Sequence, residues 1–215
     1  MKIVTADQMT AIEQASEKAG VSTDVLMENA GLAVAQEARR MAGAVGVRVL
    51  VLVGPGNNGA DGLVTARHLR RWGAEVTCYV VDGRPDADPK MLRALEYGVT
   101  VNDAAGASDT GELERLLARS DLVIDAVLGT GRARPLEGQF KEAMLCLSRA
   151  RSAPHPPKLL ALDLPTGLNA DTGEVDSCGV PCDVTLALGY PKAGLLNFPG
   201  TGHAGEMGVL DIGVP

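Results

Sequence analysis

Aromatic side chains are scarce in this chain: one Trp, three Tyr and two Phe among 215 residues. Leu, Val, Ile and Ala must therefore fill the core, and too few rings remain to stack exposed bases. Positive charge is also short, with Lys+Arg 20 against Asp+Glu 27 and a formal net charge of -7. That balance argues against the broad basic footprint of a nucleic-acid or anionic-membrane binder, although a local pocket for phosphate is compatible with it. No apolar run reaches the roughly 18 residues of a membrane span. No charged-then-apolar leader opens the sequence, and Cys78, Cys146, Cys178 and Cys182 do not form the framework of a small secreted domain. These absences lead us to expect a soluble protein of the reducing cytoplasm. Cys178 and Cys182 stand as C-x-x-x-C without a second pair at zinc-like spacing, so no metal is assigned to cysteine. A P-loop is excluded because no G-K-[ST] follows the glycines.

What is present is a hydrophobic content of 46% over a length suited to one domain. We expect a single domain over 1–215 with an N-terminal helical extension at about 1–45. There, Met9, Ile12, Ala15 and Ala19, then Val25, Leu26, Ala30, Val34 and Ala35, mark two amphipathic helices divided near Gly20. VRVLVLVG, residues 47–54, is a β-branched and Leu run without polar alternation, as in a strand covered on both faces. A helix from about Ala60 to Trp72, a strand from Glu75 and a helix from about Asp88 to Tyr97 continue the alternation. Two further units follow, with helices around Leu113–Leu117 and Gly138–Ala150 and strands in SDLVIDAVLG and KLLALDLPTG; late strands lie near CDVTLAL and MGVLDIG. The pattern predicts an α/β chain, a Rossmann-like three-layer α/β/α arrangement with a mostly parallel central sheet.

In such sheets ligands bind beyond the carboxyl ends of the strands, and three of those ends are rich in small polar residues. In GPGNNGADG, Gly54, Gly56 and Gly59 have G-x-G-x-x-G spacing, which serves a phosphate at a helix N-terminus or, equally, a turn and cap. Asp82, after the second strand, keeps a dinucleotide fingerprint open. Asn57, Asn58 and Asp61 add side-chain chemistry that backbone binding of pyrophosphate does not need. DAVLGTGRARP carries Asp125, Gly129, Thr130, Gly131, Arg132 and Arg134, either a basic loop around a phosphorylated ligand or solvated surface arginines. DLPTG supplies Asp163 and Thr166 as helix caps or as functional groups. If the strand ends converge, Asn58, Asp125 and Thr166 offer oxygen ligands to a hard cation, and Asp163 a general acid or base. His68, His155 and His203 form no catalytic pair, and solvent or structural roles are expected for them.

The ordered set LMENAG, GPGNNGADG, DAVLGTGRARP, LDLPTG and ALGYPKAG resembles the NAD(P)H-hydrate epimerase family, the YjeF N-terminal domain. The resemblance runs through nearly the whole chain. It implies an isomerase of the same Rossmann-like fold, often dimeric, that interconverts the R and S forms of hydrated NADH and NADPH (NADHX and NADPHX) in nicotinamide nucleotide repair. By motif, it further implies that Asn57, Asn58, Gly59, Ala60 and Asp61 form a substrate-binding loop. Gly129, Thr130, Gly131, Arg132, Ala133, Arg134 and Pro135 would grip substrate phosphate, Asp163 would act at the nicotinamide end, and Asn58, Asp125 and Thr166 would hold a potassium ion. Two departures stand out: Ala60 replaces a second glycine, which a positive φ would make a strained position, and Thr166 replaces a commoner serine while keeping the hydroxyl. The resemblance also implies a homodimer and either fusion to or cooperation with an NAD(P)H-hydrate dehydratase. The competing readings are a noncatalytic ligand- or partner-binding scaffold of the same fold and, behind it, an NAD-dependent dehydrogenase.

Overall fold

A computed structural model describes residues 2–43, 45–85, 87–103, 110–131 and 135–214. Seven strands form one sheet in the order β3-β2-β1-β4-β5-β6-β7: β1 Arg48–Val53, β2 Glu75–Val80, β3 Thr100–Asp103, β4 Leu122–Ala126, β5 Lys158–Leu162, β6 Val184–Leu188 and β7 Glu206–Leu210. Every adjacent pair is parallel. The expected α/β/α architecture holds, with the sheet parallel throughout.

The sequence explains why both faces are covered. Along β1, Val49, Val51 and Val53 point into one core and Leu50 and Leu52 into the other, the two-residue period of a strand. On the first face, α2 (Thr23–Ala42) contributes Ala30, Val34, Ala35 and Ala38, and α3 (Asn57–Arg71) contributes Leu63, Ala66 and Leu69. α4 (Pro89–Glu96) extends that layer through Ala94. On the other face, α5 (Gly111–Arg119) brings Leu113 and Leu117, and α6 (Gly138–Arg151) brings Met144 and Leu147. The short α7 (Gly200–Ala204) lies before β7. Among the described residues no helix is long and apolar enough to cross a membrane.

Two differences from the sequence reading matter. β3 was not expected, because TVND has one strong strand former and no buried residue; it pairs only with β2, at the sheet edge. The helix after β1 starts at Asn57, three residues earlier than expected. The paired N-terminal helices are present as α1 (Ala6–Lys18) and α2, with a capping box at Thr5 and Gln8 opening the first. α1 is pinned far along the chain: Val4 forms a parallel bridge with Lys192, and the Ala6 amide donates to Asp171 Oδ1 at 2.7 Å.

Candidate active site

Strand order reverses between β1 and β4, and at that switch point their C-terminal ends open a crevice. The glycines of G-x-G-x-x-G are needed there for close approach. A Cβ on Gly54 would lie 1.8 Å from the Val127 carbonyl oxygen, and one on Gly59 would lie 2.0 Å from that of Gly54. Arg84 holds this turn from behind, donating to the Gly54 and Gly56 carbonyls at 2.5 and 3.0 Å while binding Asp88 Oδ2 at 2.8 Å. Asp82 is exposed beyond β2. Gly56 caps α3 without a side chain, so among the described residues no side-chain cap covers the first amides of the helix, which suits them to receive an anion.

Asn57, Asn58, Gly59, Ala60 and Asp61 are thus the first turns of a helix rather than a loop. Ala60 is an ordinary helical residue, buried, with its amide bonded to the Gly56 carbonyl at 3.2 Å. The strain that a positive φ would impose does not arise there. Asp163 is the non-glycine residue with left-handed backbone among those described, at φ 68.

Asp125 lies fully buried near the end of β4. It accepts from the Thr166 amide at 2.8 Å, the Thr166 hydroxyl at 2.7 Å and the Val127 amide at 3.2 Å. Burial pushes the Asp125 pKa up, and the Thr166 and Val127 hydrogen bonds oppose that rise. The Thr166 hydroxyl in turn accepts from the Leu128 amide at 3.0 Å, so the ends of β4 and β5 are joined. Asn58 meets the same segment at Gly129, where an added Cβ would be 3.1 Å from Asn58 Oδ1. The Asn58 amide nitrogen is buried and has no partner among the described residues. Asn58 Oδ1, the Asp125 carboxylate and the Thr166 hydroxyl make an oxygen set of low charge, whose chemistry suits a hard monovalent cation; the unpaired Asn58 Nδ2 is a hydrogen-bond donor and not a ligand.

The third strand end carries Asp163. The Asp163 amide donates to the Leu186 carbonyl at 2.9 Å, its Oδ1 accepts from the Leu188 amide at 3.0 Å, and Lys192 Nζ makes an ion pair to the same oxygen. Lys192 is 1% exposed and also donates to the Leu188 carbonyl at 2.9 Å. Two more carboxyls face this pair. Asp61, buried on α3, has an Oδ1 without a partner among the described residues. Its pKa is driven well above the usual carboxylate range, first by burial and then by the negative charges of Asp163 and Glu13. Glu13, half-buried on α1, is raised in the same way by burial and by Asp163.

These groups surround a cavity of about 390 Å³ roofed by α1 and α2, a volume in the range of small-molecule sites. Asn57, Asn58, Asp61, Gly129, Thr130, Gly131 and Asp163 line it. Asp125 and Thr166 lie beneath the wall, and Gly59 and Ala60 are packed behind it. Pro135 is exposed away from the cavity, while Arg132, Ala133 and Arg134 fall outside the described residues. Sequence reasoning gave no role to Lys192 or Glu13. Glu13 follows the buried Met9 by four positions on α1, a helical spacing that puts it on the covered face. Lys192 stood in ALGYPKAG with no pattern to signal that its charge is internal. The histidines remain apart from the cavity lining.

The family model described as YjeF-related protein N-terminus matches residues 23–194. The chain is 36% identical over 221 residues to the bifunctional NAD(P)H-hydrate repair enzyme Nnr of Thermofilum pendens, covering 100% of this chain and 41% of that protein. It therefore spans about two-fifths of that relative's length. It is 33% identical over 212 residues to an NAD(P)H-hydrate epimerase of Levilactobacillus brevis, covering 99% of this chain and 94% of that one. Among solved structures it is similar to yeast ynu0, YNL200c, with a TM-score of 0.78 at 26% identity, over 90% of this chain and 83% of that chain.

Proposed function

The chain belongs to the YjeF-related N-terminal family, and from that premise we propose that it is an isomerase interconverting the R and S forms of NADHX and NADPHX. The observation that carries this reading is one cavity joining an uncapped helix N-terminus, suited to phosphate, with a carboxylate held by a buried lysine. Relatives named as epimerases and as bifunctional repair enzymes support it.

In this reading the first turn of α3 and the Gly129–Gly131 segment bind the nucleotide's phosphates, with Arg132, Ala133, Arg134 and Pro135 completing the grip. Met9, Leu26 and Met27 supply the apolar wall against which the hydrated ring lies. The ring carries a hydroxyl on a carbon beside nitrogen, and inversion requires that this carbon become planar or open. Asp163 faces it as acid or base: one oxygen is tied to Lys192 and the Leu188 amide, which fixes the carboxylate's orientation. Asn58, Asp125 and Thr166 would hold potassium, which when bound supplies a fixed positive charge that orders the strand ends and substrate oxygens. No hydride moves, so reduced-nicotinamide absorbance stays constant, unlike in a dehydrogenase.

We place the enzyme in the cytoplasm as a homodimer, beside or fused to a dehydratase that consumes one epimer. Its four free, buried cysteines are compatible with a reducing compartment. The test is direct: purified protein in potassium buffer should accelerate R-to-S exchange, followed by chromatography of the two epimers. Intact protein without that acceleration would leave the scaffold reading in its place.

A further inference from the structure

Inversion at the hydroxyl-bearing carbon asks for a proton delivered on one face and removed on the other. Asp163 can serve one of them. Its left-handed backbone, the Leu188 amide and Lys192 hold its carboxylate in place as an ion-paired anion. The same cavity presents a carboxyl of opposite character. Asp61 comes from the first turns of α3, is 7% exposed, lines the cavity, and has a buried Oδ1 without a hydrogen-bond partner among the described residues. An anion left so would be far more costly than a protonated carboxyl. The charged groups around it agree: Asp163 beyond β5 and Glu13 on α1 favour the protonated form, opposed by Lys90 on α4 and Lys192 beyond β6, with burial the largest influence.

We propose that Asp61 is the second catalytic carboxyl: as general acid it protonates the departing hydroxyl of the hydrated ring, while Asp163 takes a proton from water adding to the opposite face. This rests on the epimerase reading and gives it a chemical route. The ring-nitrogen lone pair forms a C=N bond as the C–O bond breaks, and the hydroxyl leaves as water with the Asp61 proton. Water then bonds to the planar carbon from the other side, the C=N pair returns to nitrogen, and the surplus proton goes to Asp163. Nothing is oxidised or reduced. One proton has moved from Asp61 to Asp163, so the reverse epimerisation restores the start; for repeated turnover in one direction, exchange with solvent resets the pair.

The experiment runs wild-type protein and Asp61→Asn through epimerisation assays in H₂¹⁸O, measuring kcat, KM and label in the inverted product above the uncatalysed background. Wild type should gain one solvent oxygen per inversion. The folded variant should lose about 100-fold or more in kcat, with KM changed less than about tenfold. Inversion by wild type without solvent oxygen, or a variant kcat within about twofold of wild type, would overturn the assignment of Asp61. If the Asn variant does not fold, Asp61→Glu, which keeps the acid, and the label on wild type still test the proposal: absence of solvent oxygen, or a folded Asp61→Glu with no more activity than the uncatalysed background, would overturn it. Wild type inactive toward both epimers would remove the epimerase reading itself, and this inference with it.

Discussion

Two groups of buried charge flank α3 and obey opposite rules. On one side Glu28 of α2 accepts from Arg67 of α3 at 3.3 and 2.5 Å and from Lys90 of α4 at 2.6 Å, while Lys90 also pairs with Asp24 at 2.8 Å. This clasp stitches three helices together, and each of its charges faces an opposite one. On the other side, among the described residues, Asn58 Nδ2 and Asp61 Oδ1 have no hydrogen-bond partner, and Asp163 is held in left-handed backbone. Saturated charges fix the layer in place. Under-satisfied ones are held ready for something that is not protein.

The comparison can be broken at its most reactive point. Asp163→Asn keeps a residue type that tolerates left-handed backbone and can still accept from the Leu188 amide, but it removes the carboxylate. Epimerisation should fall by about 10²–10⁴-fold in kcat, read from initial rates of R-to-S exchange; an unchanged rate would take Asp163 out of the chemistry.

The clasp should respond in stability rather than in rate. Glu28→Gln strands the buried Arg67 and leaves Lys90 only the exposed Asp24, and should cost about 3 kcal/mol in urea unfolding, with kcat of the folded fraction unaltered. Its pH dependence follows from Glu28 itself. Burial raises its pKa, but hydrogen bonds from Arg67 and Lys90 outweigh that and set it at about 2, below the ordinary 4.5. Its contribution is therefore complete above the ordinary carboxylate range and is lost as pH falls toward about 2. Wild type and Glu28→Gln should converge in stability over that acid window.

The smallest effect has the opposite sign. Because the Asp61 pKa is raised in the folded state, its ionisation costs stability as pH rises above the unfolded value. Asp61→Asn should stabilise the fold by about 1 kcal/mol at neutral pH, seen as a higher Tm, and the gain should vanish in acid, where the native carboxyl is protonated in both states. Destabilisation at neutral pH would show that the two regions follow the same rule after all.

How far the sequence foretells this layout depends on where the information lies. The β1 run is legible because both of its faces are apolar, and the polar strand ends after β1, β4 and β5 lie at the edge of the sheet that borders the cavity. β3 is not legible, since TVND at a sheet edge buries nothing. The start of α3 was misplaced because Asn and Gly are poor helix formers, and the close packing of Gly59 on Gly54 and of Gly62 on Ala126 and Val51 overrides that preference. LMENAG marked the family, yet nothing local says that its Glu28 is structural while Glu13, also on an amphipathic helix, faces the cavity. Lys192 and Asp163 meet across 29 positions of chain, which no periodicity encodes.

The tether of α1 has a consequence in time. Ala6 and Asp171 are 165 positions apart, so at ~5–20 residues added per second the first helix waits roughly 10–30 s on the ribosome for its anchor to be made. Pairing at such separation is slow to form. The roof of the cavity is therefore among the last parts to close, and a nascent chain holds the glycine-rich turn that opens α3 long before it holds an enclosed pocket.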